Sequence, residues 1–536
     1  MSLVCAAPAV VRAQISLTHT EDAAPVPKGM LRVRVTTGWT RFDERFTPSG
    51  RRTLGDEISA DDFGPRQLPL LAPVEKGLQT LSGDTQTKLS LGRLAARSDA
   101  RIVTTPIVFE YGLTRRLTVG LLVPIVQTRR NLSLSVNKDS NANVGFVPSR
   151  TRREAADRNA LVFAAYRNAA DSLATLVARC PSNPTAAGCA VVNVNPSAAS
   201  AAGLLARQFA DAVKSALGTD TATVRIAPRS GGALAARIDD QRALIDSRVQ
   251  RYLGANAGAN TGVFTQPSSF SYIDLQGRNG AAGLLQSSLG GGLDSLRTTN
   301  KLAIGGVTLG AQFLVFDHFQ GDTLRAPGFQ TRLAVGGAFR FETLPADSAR
   351  ILGVIAPTEG SAVELKSAID VLSGIFGGTA VARYTKFFAR PVDAPLAGDL
   401  EAFWPAPYFG SAMRTGGSVV GLDLTPRLLL GDSFAIDGHY GVERTGAPTF
   451  ERAPLGAGVA DSGIPAFAPN TAARNAQRVG MGLRYSTVDS YLRGQSTTPI
   501  EVSLTHLETI TGGEGVARLR RDQIQVRLYF PVRSGR

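Results

Sequence analysis

Apolar and polar side chains alternate with period 2 through much of this chain, in segments of ten or more residues where soluble strands average five or six. Near the end, Ile524, Val526, Leu528, Phe530 and Val532 alternate with Gln523, Gln525, Arg527 and Tyr529. Earlier, Val420, Leu422, Leu424, Leu428 and Leu430 alternate with Asp423, Thr425 and Arg427, and Pro426 falls on the apolar side. A Gly431-Asp432-Ser433 turn follows, and the chain returns through Phe434, Ile436, Tyr440 and Val442 against Asp437, His439 and Glu443. Leu333, Val335, Phe339 and Phe341 oppose Arg332, Arg340 and Glu342, and Val479, Met481, Leu483 and Tyr485 oppose Arg478 and Arg484. Leu31, Val33 and Val35 do the same against Arg32 and Arg34.

A soluble sandwich would also alternate, so length, number and loop asymmetry have to decide. A membrane-spanning strand needs about 9–11 residues, and only a closed barrel satisfies every backbone group in lipid. Counting back from a periplasmic C-terminus gives strands near 520–532, 500–510, 475–488, 433–446, 416–430, 399–411, 375–390, 328–342, 302–317, 116–136, 101–113 and 79–94. The spacing therefore predicts an all-β transmembrane barrel of about twelve antiparallel strands. Fourteen stays open, because Leu31 to Phe46 breaks parity unless a further strand lies in 47–78. Turns near 113–116 and 430–433 fall on one side of this count, and the long connections 137–301, 343–374 and 447–474 on the other. Short turns inside and long loops outside is the outer-membrane pattern.

Between 137 and 301 the period changes to the helical one. Val162, Tyr166, Ala169, Leu173 and Leu176 form one narrow seam, and Ala202, Leu205, Phe209, Ala212 and Ala216 a second. Leu234, Ile238, Gln241, Ile245 and Tyr252 would complete a three-helix bundle, after which a Gly-rich tail, 254–292, returns to the barrel. Cys180 and Cys189 flank a Pro/Gly-rich turn between the first two helices, and in an exported protein they would staple the hairpin as a disulfide. Such an insertion could cap the pore, plug it, or display a binding surface.

Met1 to Gln14 reads as the tail of a secretory signal that lacks its basic start, with an ordinary apolar N-terminus as the alternative. The organisation expected is thus a truncated signal at 1–14, an N-terminal extension, first hairpin or plug at 15–78, barrel at 79–136, helical insertion at 137–301 and barrel at 302–536.

Over Thr104 to Val126 the residues Tyr111-Gly112-Leu113-Thr114, then Leu117, Val119, Gly120 and Leu121, then Val123-Pro124, carry a resemblance to a family. The segment resembles outer-membrane β-barrels described as phenol-degradation or aromatic-compound transporters, related in shape to long-chain fatty-acid transporters. The resemblance covers about 25 residues and implies a barrel in the bacterial outer membrane that passes small solutes. It brings no cargo-binding residue with it.

Composition agrees with a chain whose surface is not all solvated. Charged residues make up 19%, below the usual quarter, and no apolar run approaches the ~20 residues of a membrane helix. The formal charge is +14, and only 8 of 58 basic residues are Lys. The Arg is dispersed, without a basic helix or cation run, which argues against nucleic acid. His19, His318, His439 and His506 are too scattered for a His-Glu-x-x-His zinc motif, and neither a Walker loop nor a Gly-x-Ser-x-Gly elbow is present. No catalytic residue, metal site or cofactor is therefore expected. The expected functional set is the inward face of the barrel: Arg332, Arg340, Asp423, Arg427, Asp437, His439, Glu443, Arg484, Gln525 and Arg527. Its cationic majority would favour anions, while the resemblance favours hydrophobic or aromatic solutes. Membrane lipids, a small solute and the outer-membrane barrel-assembly machinery are the partners this reading implies. The alternative is an outer-membrane anchor that displays the helical insertion.

Overall fold

A computed structural model of the chain describes residues 22–56, 59–137, 141–278, 282–287, 299–319, 328–343, 360–395, 409–452 and 473–532. Among these, twelve antiparallel strands form one closed sheet: β1 Met30–Thr47, β2 Arg93–Gly112, β3 Leu117–Asn137, β4 (Thr299–Ile304 continued by Val307–Asp317), β5 Phe329–Phe341, β6 Ala362–Ser373, β7 Phe376–Phe387, β8 Val419–Leu430, β9 Phe434–Thr445, β10 Arg474–Ser486, β11 Ile500–Gly512 and β12 Ala517–Pro531. Each pairs with its sequence neighbour, and β12 closes the barrel on β1 with Leu31 opposite Phe530 and Val35 opposite Val526. Closure leaves no unpaired edge, which lets an antiparallel sheet stand in lipid.

The number twelve stands, but two members differ from the sequence expectation. Of residues 79–94 only Arg93 and Leu94 are strand, as the start of β2. Val74, Leu78 and Leu81 are buried at spacings of 4 and 3, so Ala72–Ser82 is helix α1, and Gly83 at φ 66° ends it. Residues 399–411 do not join the barrel either: Phe409–Thr415 pairs with Ala389–Pro395 and Thr449–Arg452 in a separate three-stranded sheet, and 396–408, with the aromatic and Pro cluster expected there, lie outside the described residues. Their places are taken by β1 and by β6, the latter having been expected in a loop. The suggested signal at 1–14 and His19 also lie outside the described residues.

The connections divide by length, 513–516 excepted. At one end the strands are joined by 113–116, 318–328, 374–375, 431–433 and 487–499, and at the other by 48–92, 138–298, 342–361, 388–418, 446–473 and 513–516. Gly374 (φ 57°) and Gly431 (φ 74°) make the two tightest turns possible, since these φ values strain any residue with a Cβ. The first end is the turn end and the second the helical end.

On the outer wall, successive cross-strand rows read Leu31 with Phe530 and Tyr111, Val33 with Leu528 and Phe109, and Val35 with Val526 and Ile107. Trp39, Val335, Leu365, Leu424, Ile436, Met481 and Leu504 continue this exposed apolar belt round the barrel. The inner wall at the same level is mainly polar, with Val108, Leu122 and a few small apolar side chains among the polar ones. Above Trp39 the two faces exchange character. On β2 and β3 the outward positions become Arg97, Asp99, Arg101, Arg129 and Asn131, while Leu94, Ala100, Ile102, Leu132 and Leu134 turn inward. Such an exchange is expected where a strand leaves lipid for water and acquires a partner on its other face.

That partner is the helical layer. Helices α2 Arg152–Arg179, α3 Cys189–Val194, α4 Pro196–Ala212 and α5 Ala233–Leu253 come from the long insertion, and α1 joins them from the first connection. Asn195 caps α4 by accepting from the Ala198 N–H at 2.9 Å, with Pro196 at its first turn. The seam residues Val162, Tyr166, Leu173, Ala202 and Phe209 are buried, and the Tyr166 and Phe209 rings meet edge-on at 5.0 Å. The Tyr166 hydroxyl donates to Asp246 at 2.7 Å, and burial together with that carboxylate pushes its pKa well above the usual phenol range. Cys180 and Cys189 are joined by a disulfide with Cα atoms 5.2 Å apart. The expected three-helix bundle is therefore larger by α1 and the short α3. Its core runs into Leu94, Leu132, Leu134 and Val136 on the inward face of the β2–β3 extension, so the layer leans over the barrel mouth rather than away from it.

Candidate functional site

Near the turn end, every strand contributes an inward polar side chain at about the same level. Arg32 on β1 binds Glu110 on β2 at 2.6 Å, with both side chains almost fully buried. Thr118 on β3 lies opposite Gln312 on β4. Arg332 on β5 reaches Asp317 at 3.1 Å and Asp370 of β6 at 3.9 Å, and Thr379 on β7 donates to Asp370 at 2.9 Å. From β8 to β12 runs an unbroken ladder. Arg427 holds Asp437 at 2.7 Å, Arg484 holds Asp437 at 3.1 Å and Glu501 at 3.4 Å, and Arg527 holds Glu501 at 3.0 Å. Each carboxylate in this ladder is shared by two guanidinium groups, so fixed charge alternates in sign around the wall.

The chain's own N-terminal segment crosses the middle of this ring. Asp22 accepts from Arg527 of β12 at 2.9 Å, its carbonyl accepts from Gln312 of β4 at 3.1 Å, and the Ala23 N–H donates to Asp370 of β6 at 3.0 Å. The Val26 N–H then donates to Thr118 of β3 at 2.9 Å, and Lys28 bridges to Gly112 before β1 begins. Strands β6 and β12 stand half the circumference apart, so residues 22–26 span the lumen from wall to wall. Ala23 packs among Ala334, Ala368 and Val381, small side chains that leave room for a backbone to pass.

The residues expected to line the lumen are distributed as follows. Arg427, Asp437, Arg484 and Arg527 share the ladder, and Arg332 joins the ring from the opposite wall. Gln525 donates to Thr36 at 3.2 Å beside it. Higher on the β7–β10 wall, Asp423 pairs with Arg383, Glu443 with Arg478 at 3.2 Å, and the His439 Nδ1 lies 3.3 Å from the Thr425 hydroxyl. Arg340 is apart from the others, donating to the Gly360 carbonyl at 2.8 Å and stacking over Phe387. Sequence reasoning missed Asp22, Arg32, Glu110, Asp370 and Glu501. Asp370 had a usable signal, since Val363, Leu365, Ile369 and Val371 alternate with Glu364, Lys366 and Asp370. Asp22 had none, because a segment threaded through a lumen obeys no period.

Toward the helical end the inner wall of β1, β2 and β12 carries an apolar patch, with Phe42, Ala100, Ile102, Ala517 and Leu519 in contact and Leu54 and Val126 against them, while the β7–β10 wall stays charged. A path along the barrel axis would therefore meet the helical layer, then an apolar patch on one side with charged pairs on the other, and then a charged ring crossed by residues 22–26. Among the described residues no cluster of His, Cys, Asp and Glu could hold a metal ion, and no helix is long and apolar enough to cross a membrane.

No family model and no curated protein matches the sequence. Solved structures with some likeness include an outer membrane channel from Pseudomonas putida F1, 8% identical over 96% of this chain and 100% of that one with a TM-score of 0.39. The toluene transporter TodX of Pseudomonas putida is 11% identical over 98% and 95%, with a TM-score of 0.21. The β-domain of the Bordetella autotransporter BrkA is 6% identical over 94% and 100%, with a TM-score of 0.27. Likenesses this slight carry no argument, and the barrel rests on its own strand pairing. A closed antiparallel barrel with an apolar outer belt and a polar interior is the architecture of the bacterial outer membrane.

Proposed function

We propose that this protein is an outer-membrane channel that passes small solutes through the barrel, with the helical end outside the cell and the turn end in the periplasm. The observation that carries this is the ring of inward polar side chains contributed by every strand at a level where the outer wall is apolar. Twelve strands enclose a lumen too wide for side chains alone to fill, so an aqueous interior closed only in part by residues 22–26 is the physical expectation. The solute is small and largely apolar or aromatic. Two features support that choice over an anion. The ring's guanidinium groups are matched by carboxylates, which removes most of the cationic bias expected from composition. The zone containing Phe42, Ile102 and Leu519 adds an apolar surface on the way in.

A second reading treats the barrel as an anchor for the helical layer, which exposes Leu161 (65%), Val194 (84%) and Leu204 (56%). Planar-bilayer recording of the purified protein separates the two. The channel reading expects discrete steps with weak anion-over-cation preference, raised by removal of residues 22–27. Silence in the full chain and in that variant alike would return the protein to the display reading.

A further inference from the structure

One feature of the outer wall has no part in conduction. Arg41 of β1 stands directly opposite Arg520 of β12 on one side and Arg101 of β2 on the other, and Arg101 stands opposite Arg129 of β3. Four arginines thus occupy a single cross-strand row on four adjacent strands. At about 4.8 Å between strands, the row is about 14 Å long. Its members face outward, with Arg101 and Arg520 58% and 41% exposed, while Phe42, Ala100, Ile102 and Leu519 pack behind them.

Directly opposed like charges destabilise a sheet. The chain supplies only part of the relief. Glu508 of β11 stands opposite Arg520 at one end of the row, Asp43 sits 3.0 Å from Arg520, and Asp99 sits 4.0 Å from Arg101. Among the described residues no carboxylate lies within ion-pair distance of Arg41 or Arg129, and Arg129 is turned toward the Asn131 amide oxygen at 3.3 Å. An arrangement of this kind is accounted for if the missing counter-charge comes from outside the chain.

The depth of the row indicates what that counter-charge is. The row just below is mixed, Trp39 and Val103 flanked by Asp522 and Gln127, and the rows from there down to Leu31 and Phe530 belong mainly to the apolar belt. From Leu31 to Arg41 the strand climbs about 33 Å along its own axis, or about 25 Å along the barrel axis at a tilt near 40°. That equals the height of the lipid-facing band of such barrels, about 25 Å. The arginines therefore emerge where acyl chains give way to headgroups, immediately above an interfacial Trp.

We propose that the Arg520–Arg41–Arg101–Arg129 row is a docking site for the phosphate groups of a phosphorylated lipid of the outer leaflet. Guanidinium groups bind phosphate oxygens in bidentate fashion, and the row stands on a strand platform stiffened by the cluster behind it. Because the strands tilt, the row crosses the headgroup layer obliquely and offers cations over a range of depths, which suits a headgroup with more than one phosphate. The proposal rests on the barrel spanning the outer membrane with its helical end outward.

The test is native mass spectrometry of the full chain in zwitterionic detergent, with bis-phosphorylated lipid A as probe. Folded barrel is first established by heat-modifiable gel mobility, and its absence in the wild type would remove the membrane reading before any lipid is added. The wild type should retain the phosphorylated probe, prefer it to the dephosphorylated form, and hold it in the presence of equimolar inorganic phosphate. The variant Arg41→Gln/Arg101→Gln/Arg129→Gln should bind about a hundredfold more weakly, on the order of fivefold per arginine. The variant Arg153→Gln/Arg248→Gln/Arg251→Gln loses the same charge from exposed sites on the helical layer and should bind as wild type does. If the triple row variant does not fold, Arg101→Gln alone should show the single fivefold step. Equal retention by row variant and wild type, equal loss in the helical-layer variant, indifference to the lipid phosphates, or displacement by free phosphate would each overturn the proposal.

Discussion

Asp437 accepts from two guanidinium groups at once, Arg427 on one neighbouring strand and Arg484 on the other, while remaining only 2% exposed. Neutralising it should cost more than an ordinary surface pair, because two half-buried cations then lose a charged acceptor. Asp437→Asn is expected to destabilise the barrel by about 2–3 kcal/mol, the scale of charge-assisted hydrogen bonds, rather than the few tenths of an exposed ion pair. The midpoint of urea unfolding in detergent measures it, and a change below about 0.5 kcal/mol would mean that lumenal water replaces the lost contacts. The opposite wall offers the complementary experiment. Leu424 is one of the outward residues, and an Arg there should cost about 2–4 kcal/mol if it faces mid-bilayer lipid. Little effect in lipid vesicles would move Leu424 out of the belt and overturn the depth assigned to every row aligned with it.

At the scale of elements, the exchange of faces along β1, β2, β3 and β12 explains what the sequence disclosed and what it hid. Strands such as Phe434–Thr445 and Arg474–Ser486 were legible because one parity stays apolar over most of their length, from Phe434 to Val442 and from Val479 to Tyr485. The upper half of β2 was not, since Leu94, Ala96, Ala100 and Ile102 occupy the parity that is polar further down. Strand β6 was passed over because buried Glu364, Lys366 and Asp370 imitate a solvated face. Helix seams were legible where the 3/4 spacing ran for several turns, as at Val162 to Leu173, and α1 was missed because Val74, Leu78 and Leu81 carry it through only two steps. Of the candidate site, the residues on regular strands could be read and those closing it across the lumen could not. The hairpin joining α2 to α3 is held by the Cys180–Cys189 bridge over a sequence separation of nine. A loop that short should contribute about 2–3 kcal/mol through the unfolded chain. Cys180→Ala/Cys189→Ala should therefore speed proteolysis within the helical layer while leaving the barrel's heat-modifiable mobility unchanged, and an altered barrel would mean the two units unfold together.

Taken as a whole, the molecule places two obstructions in series, and series resistances make their contributions separable. The helical layer reaches the mouth through the inward face of the β2–β3 extension, whereas residues 22–26 cross the lumen near the turn end, where their bonds to Thr118, Gln312, Asp370 and Arg527 fall on four different strands. The narrower element dominates the total. Four tethers on strands spread around the wall make the inner crossing the tighter of the two, while the layer is anchored along one side of the mouth. Removal of 22–27 is therefore expected to raise single-channel conductance several-fold, and removal of 150–254 to change it much less while widening access for larger solutes. Steps recorded in planar bilayers for both variants, at high salt so that surface charge is screened, decide the order. A large rise on deleting 150–254 with none on deleting 22–27 would place the restriction at the mouth and make the helical layer a lid.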